Sequence, residues 1–269
     1  MQTNIYHIAY TPEIAEVCIF FWGCNLECKG CYCKRWIWDS MVKEYLLEHL
    51  ADPPSGIAQA PNKFLNLTEL IDILDTLNIK SIIYTGQEPS LDPAYQLITK
   101  TVHQRYKCQN TLYTNLYTMP PLKDTDRVEF GMKALTNSIH MAYTGKSNIT
   151  ILDNFVKLYQ SKTNIIIEAV LIPGLINADE IERMAKYISV LSKEIPFIIL
   201  PYFKSGDNPW HRPSATEMDD AVQMASKHLK NVHCFYGNEK LSYEVKSIFP
   251  AIIDTQCWPV SSHCLHGTS

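Results

Sequence analysis

The 269-residue sequence has no excess of positive charge: 24 lysines and arginines face 28 aspartates and glutamates, for a formal net charge of -4 and a pI near 6.1. No basic field is available to gather nucleic acid or an anionic membrane surface, so a large partner must be recognised by shape and local contacts. No stretch approaches the roughly 18 consecutive apolar residues of a membrane span. The opening MQTNIYHIAY also lacks the basic region and apolar core of an export leader. These absences predict a cytoplasmic protein that acts on a small molecule or a protein, with neither a membrane nor a nucleic-acid partner. Internal repeats, low-complexity tracts and obvious linkers are missing too, and one α/β core is the simpler reading of this length.

Cysteine, by contrast, is plentiful and unevenly placed. The nine cysteines are an odd number, and Cys18, Cys24, Cys28, Cys31 and Cys33 fall within sixteen positions. Such crowding suits metal ligation in a reducing compartment better than a dispersed disulfide framework.

Short β-rich apolar runs recur, each followed by a segment of helical periodicity, which is the pattern of a parallel sheet with covering helices. The predicted strands are Val17 to Trp22, Ser81 to Thr85, Thr111 to Asn115, Arg127 to Met132, Ile165 to Ile172 and Phe197 to Phe203. Their unbroken Ile, Val, Leu and Phe content predicts strands covered on both faces. Leu67, Leu70, Ile71 and Leu74 make one helical stripe, and Leu152, Phe155, Val156 and Tyr159 another. Asn177 with Glu180, and Ser214 with Glu217, have the spacing of a helix N-cap and its reciprocal acidic partner. Pro120-Pro121, Pro173-Gly174 and the Gly206 to Pro213 stretch read as loops. Six such units predict a partial (β/α)6 barrel over residues 1-230, open on one side, with chemistry at the carboxyl ends of its strands. Residues 231-269 are expected to form a C-terminal extension, in which Asn231 to Tyr236 reads either as an extra strand or as part of an appended layer.

Cys24, Cys28 and Cys31 form a C-x3-C-x2-C triplet directly after the first predicted strand, on the loop where an α/β barrel builds its active site. Soft thiolates suit a 4Fe-4S cluster, and three rather than four of them leave one iron free to bind another group. A zinc knuckle with Cys33 as fourth ligand is the competing reading, although one residue between Cys31 and Cys33 strains a closed site. Cys18, inside the strand, and Cys108 and Cys234, without a motif, are expected to be packing residues.

The string Gly23-Cys24-Asn25-Leu26-Glu27-Cys28-Lys29-Gly30-Cys31-Tyr32, with Lys34 and Trp38 following, resembles the cluster loop of radical S-adenosylmethionine (SAM) enzymes, in particular anaerobic ribonucleotide reductase activating proteins. Later segments resemble pyruvate formate-lyase activating enzymes, to about Lys204. Tyr84-Thr85-Gly86-Gln87-Glu88-Pro89 is similar to the family's Gly-Gly-Glu-Pro turn, whose backbone binds the SAM amino group, with Gln87 in the second glycine's place. Where the family shows Asp-Thr-Asn-Gly and Asp-Leu-Lys, this chain reads Tyr113-Thr114-Asn115-Leu116 and Gly131-Met132-Lys133. Both aspartates are missing, so the cation site that some activating enzymes build from them lacks its carboxylates, with Glu129 a partial substitute.

The resemblance implies a 4Fe-4S cluster on Cys24, Cys28 and Cys31, and SAM held by Tyr32, Gly86, Gln87, Glu88, Thr114, Lys133 and Val170. Tyr32 and Val170, with Phe203, are the expected adenine contacts, and Lys133 the cation for the SAM carboxylate. The implied activity is reductive cleavage of SAM to a 5′-deoxyadenosyl radical that installs a glycyl radical on a partner such as anaerobic ribonucleotide reductase. Flavodoxin or ferredoxin would donate the electron, and anaerobic or microaerobic use is expected of an exposed iron. No catalytic side chain is assigned. The alternatives are a radical SAM enzyme acting on another peptide, nucleic acid or metabolite, and an iron-sulfur electron carrier or zinc protein. Cys257, His263, Cys264 and His266 in the tail are candidate ligands for zinc or an auxiliary cluster, without the compact spacing that would assign one.

Overall fold

The computed structural model describes residues 1–42, 52–53, 55–240 and 242–251. Its frame is a nine-stranded open sheet of order β8-β7-β6-β5-β4-β3-β2-β1-β9. Strands β2 (Glu16–Phe21), β3 (Ser81–Gly86), β4 (Gln109–Thr114), β5 (Arg127–Gly131), β6 (Asn164–Leu171), β7 (Phe197–Pro201) and β8 (Val232–Cys234) run parallel in chain order. Helices fill the crossovers: α1 (Leu67–Leu74), α2 (Tyr95–Tyr106), α3 (Asn137–Thr144), α4 (Ile149–Gln160), α5 (Ala178–Leu191) and α6 (Ala215–Ser226). The predicted partial barrel is thus the observed architecture, and all six predicted strands are present.

Two strands were absent from the sequence reading. β1 (Ile5–Thr11) is a fully buried strand that pairs antiparallel with β2, and β9 (Lys246–Phe249) pairs antiparallel with β1. His7 joins them, its Nδ1 lying 2.8 Å from the Phe249 carbonyl oxygen. The extra strand expected near Asn231 is β8, which extends the same sheet. The tail candidates Cys257, His263, Cys264 and His266 lie outside the described residues.

Not every strand is covered on both faces. Burial alternates along β2 and β7, one side-chain set packing into the core, and Leu200 and Pro201 at the end of β7 line an internal cavity. The helix-side set, including Val17, Ile19 and Phe21 of β2 with Ile82 and Tyr84 of β3, forms the main core with Leu70, Leu74, Ile98 and Phe155. Cys18 is half-buried on the other face of β2 and stays outside the main core, Cys108 is buried as expected of a packing residue, and Cys234 packs at the core's margin.

Side-chain capping marks the starts of two helices, α1 and α6. Ser214 and Glu217 form the expected capping box at α6, and Asn66 with Glu69 forms another at α1 that the sequence reading passed over. The predicted box at α5 does not form. Asn177 accepts from Gly174 N at 2.9 Å, while Glu180 turns away to take the Leu135 and Thr136 amides at 2.8 and 2.7 Å. A buried carboxylate is better satisfied by three donors from the loop ahead of α3 than by one helix amide.

Candidate functional site

The loop after β2 is built from hydrogen bonds rather than from regular structure. Gly23, at φ +103°, turns the chain out of the strand, and its amide donates to Gln87 Oε1 at 3.1 Å. Glu27 N and Lys29 N then donate to the Thr144 and Tyr143 carbonyls at 2.9 and 3.0 Å, so the loop docks on the free carbonyls that end α3. The Cys31 carbonyl is held by Arg35 Nη1 at 3.0 Å and Ser205 Oγ at 3.1 Å. Beyond it, Trp36, Ile37 and Trp38 pack with Tyr6 in a second apolar cluster that fixes the loop's far end.

Gly30 stands directly before the third cysteine of the triplet, and the structure shows why a glycine suits this place. A Cβ there would lie 2.9 Å from the Tyr202 ring. Tyr202 is buried after β7, and its hydroxyl accepts from Ser205 N and Asn208 Nδ2, both at 2.9 Å. An aromatic ring thus reaches the loop from the opposite end of the sheet. Tyr202 went unassigned from sequence.

Cys24, Cys28, Cys31 and Cys33 line one cavity of about 560 Å³, together with Tyr32, Gly86, Gln87, Thr114, Lys133 and Val170. That volume is in the range of small-molecule sites. Burial raises the Cys24 thiol and pushes those of Cys28 and Cys33 up to about 12, with Lys133 opposing the last two. Enclosed thiols of this kind become thiolates when bound iron supplies positive charge. Among the described residues no three His, Cys, Asp or Glu donors converge tightly enough for a single ion. A cluster makes no such demand, since each of its irons takes a separate thiolate. Three cavity-facing thiols therefore fit a 4Fe-4S group.

Opposite them, the end of β3 comes unusually close to β2. A Cβ on Gly86 would lie 2.7 Å from Phe21 N and 2.8 Å from Phe21 O, and the residue's φ is +95°. Gln87 N closes the turn on Phe21 O at 3.0 Å. Glu88, expected beside the cofactor, is absent from the cavity lining. It is buried behind the turn, where its carboxylate accepts from Thr114 Oγ1 and Asn115 N, each at 2.8 Å, and so ties β3 to β4. Burial raises its pKa, and these donors oppose the rise.

Lys133 follows β5 and folds back into the space that a side chain at Gly131 would take, its Nζ 2.9 Å from that Cβ position. Burial works against its charge, but Cys28, Cys31, Cys24 and Glu168 together hold its pKa above the ordinary value. A charged ammonium at this place is what binding of a carboxylate requires. Tyr32 meets Phe203 edge-on with ring centroids 6.0 Å apart, and Arg212 lies 4.4 Å over the Phe203 ring. These aromatics and half-buried Val170 give a flat ring an apolar seat.

The cavity wall also carries Tyr113, Glu129 and Glu168 from β4, β5 and β6. Tyr113 and Glu129 are direct partners across the sheet, and Arg127 Nε lies 3.5 Å from Glu129 Oε1. Burial, and then Glu129, push Glu168 up to about 7, with Lys133 opposing. Of the three, Glu168 stands out in the sequence as the lone carboxylate in the largely apolar β6 run.

Comparison with known proteins agrees with this geometry. The Radical SAM superfamily model matches residues 18–188, more than half of the chain. A putative glycyl-radical enzyme activating enzyme of Methanocaldococcus jannaschii is 26% identical over 86% of this chain and 83% of its own length. A pyruvate formate-lyase-activating enzyme of Staphylococcus aureus is 34% identical over 33% of this chain, which spans only 36% of that relative. Among solved structures, QueE from Escherichia coli aligns with 87% of this chain and 94% of its own at TM-score 0.53 and 11% identity. Streptococcus suis SuiB bound to S-adenosylmethionine aligns with 82% of this chain and 46% of its own at TM-score 0.54 and 9% identity. Likeness at such low identity speaks for the fold alone. No helix among the described residues is long and apolar enough to cross a membrane.

Proposed function

Because this chain belongs to the radical SAM superfamily, whose members use a 4Fe-4S cluster and SAM, we propose that it installs a glycyl radical on a partner enzyme, with anaerobic ribonucleotide reductase the favoured substrate. Membership of that family leaves the electron-carrier and zinc-protein readings without support. The activating-enzyme relatives support a glycyl-radical enzyme as partner, and the choice of ribonucleotide reductase rests on the cluster-loop likeness alone.

The observation that carries the reading is one cavity lined by the three triplet thiols, the Gly86 turn and Lys133. Cys24, Cys28 and Cys31 would hold a 4Fe-4S cluster through three of its irons, leaving one free to bind SAM. Gly86 would let the turn's backbone approach the SAM amino group, Lys133 would pair with the SAM carboxylate, and Tyr32, Phe203 and Val170 would seat the adenine. Thr114 lies beside this site, positioned by Glu88. When bound, the cofactor pair supplies a carbon radical able to abstract hydrogen, and the cavity's enclosure keeps that chemistry from water. The open side of the sheet, between the edge strands β8 and β9, admits the partner's glycine loop. A flavodoxin or ferredoxin delivers the electron.

The presence of Tyr113, Glu129 and Glu168 on the cavity wall favours one second reading, a radical SAM enzyme acting on a different peptide, nucleic acid or metabolite. A neighbouring gene for a large glycyl-radical protein separates the two. The direct test is anaerobic reconstitution with iron and sulfide, then reductant and SAM. The reading expects 5′-deoxyadenosine and, with the partner present, a glycyl radical signal by electron paramagnetic resonance. An intact cluster without 5′-deoxyadenosine overturns it.

A further inference from the structure

We propose that Asn115 sets the reduction potential of the cluster through a hydrogen bond to Cys24, and that Glu88 positions it, coupling the Gly86 turn to the cluster. The inference rests on Cys24 being a cluster ligand. Asn115 follows β4 and is only 6% exposed, so its polar atoms must find partners inside the protein. Its Nδ2 lies 3.6 Å from Cys24 Sγ and 2.8 Å from Asn25 Oδ1. Its Oδ1 accepts from Tyr117 N at 2.8 Å. A backbone amide can only donate, so the carbonyl must face Tyr117 and the NH2 group must face the sulfur.

The backbone is fixed just as firmly. Glu88 takes Asn115 N on one carboxylate oxygen and Thr114 Oγ1 on the other. Glu88 follows Gly86 and Gln87 directly, so a shift of that turn moves the acceptor that places Asn115. Cys24 also receives Leu26 N at 3.4 Å. Hydrogen bonds to the thiolates tune a cluster's potential. An N–H donor gains more from the sulfur when the cluster carries an added electron, so Asn115 favours the reduced state. Of the two donors to Cys24, only Asn115 acts through a side chain that substitution can remove.

The experiment is redox titration of the reconstituted holoprotein, with cluster content measured by iron and sulfide analysis. In Asn115→Leu the equilibrium constant for one-electron reduction should fall about tenfold, which equals about 59 mV. Asn115→Asp, which replaces the donor by a negative charge, should fall further. Glu88→Gln, which keeps the shape but puts a donor among donors, should shift the potential in the same direction by less. Asn25→Ala removes the amide's other acceptor and should leave the wild-type value.

Equal potentials in wild type and Asn115→Leu at full cluster content overturn the proposal, as does an equal fall in Asn25→Ala. An unchanged potential in Glu88→Gln overturns the positioning role. If the Asn115 variants hold no cluster, wild type labelled with 15N-asparagine decides. The reduced cluster must then show a 15N side-chain coupling in pulsed electron paramagnetic resonance, and its absence sinks the hydrogen bond. Failure of wild type to bind a 4Fe-4S cluster would instead remove the cluster assignment, and this inference with it.

Discussion

Replacing Gly86 by alanine tests how the fold creates its cofactor turn. The new Cβ would stand 2.7 and 2.8 Å from Phe21 N and O, backbone atoms that no rotamer change can move aside. Inserting a methyl group into a packed site costs about 1–3 kcal/mol, and a φ of +95° adds about 1 kcal/mol for any residue with a Cβ. Alanine's stiffer unfolded chain returns a few tenths, leaving a loss of about 2–4 kcal/mol. Gly145 provides the control. It too has a positive φ, +78°, but its nearest Cβ contact is an ordinary 3.6 Å, so Gly145→Ala should cost only about 1 kcal/mol. Urea unfolding of the reduced apoproteins, followed by circular dichroism, gives both numbers. Because Phe21 leads into Gly23 and Cys24, iron loading of Gly86→Ala should fall as well. A Gly86→Ala loss no larger than that of Gly145→Ala would refute the close-approach argument.

The remaining predictions concern the cavity's charges. Lys133→Met removes the cation assigned to the SAM carboxylate and should weaken anaerobic SAM binding roughly ten- to a hundredfold, as loss of a charge-assisted hydrogen bond does; unchanged affinity in equilibrium dialysis would remove Lys133 from the site. Glu168 is pushed from 4.5 up to about 7, so the fold favours its neutral form. Between those values the native state binds more proton than the unfolded chain, and stability therefore declines as pH rises through about 7. The loss is at most about 3 kcal/mol, reduced by screening because the group faces the cavity. Glu168→Gln, uncharged throughout, should flatten this slope in urea midpoints taken near pH 5 and pH 8; parallel pH profiles for the two proteins would contradict the assignment.

Sequence pattern revealed the parallel strands because Ile, Val and Phe runs mark buried parallel pairing wherever they occur. It missed β1, whose run is broken by Tyr6, His7 and Tyr10, and whose turn into β2 uses Ala15 at φ +56° in place of a glycine. Strand β9 owes its place to partners more than two hundred residues away in β1, which no local pattern encodes. Helix α2 carries Gln96, Lys100 and Arg105 through a weak apolar stripe and is held by tertiary packing of Tyr95, Ile98 and Val102. The site divides in the same way. The thiols announced themselves by spacing, whereas the contacts of Asn115 with Cys24 and of Tyr202 with Gly30 span long separations in the chain. Glu88 was found by motif, but a motif gives position along the chain and not the direction of a carboxylate, which here points to Thr114 and Asn115.

The measurement that bears most directly on the central claim is isotope transfer. The reconstituted, reduced protein should be mixed with SAM and a candidate glycyl-radical partner carrying α-deuterated glycine, and the 5′-deoxyadenosine analysed by mass spectrometry. Hydrogen abstraction from the partner predicts deuterium in the recovered 5′-deoxyadenosine together with a glycyl radical on the partner. Efficient SAM cleavage that leaves the 5′-deoxyadenosine unlabelled, with such a partner present and no radical on it, would contradict the account.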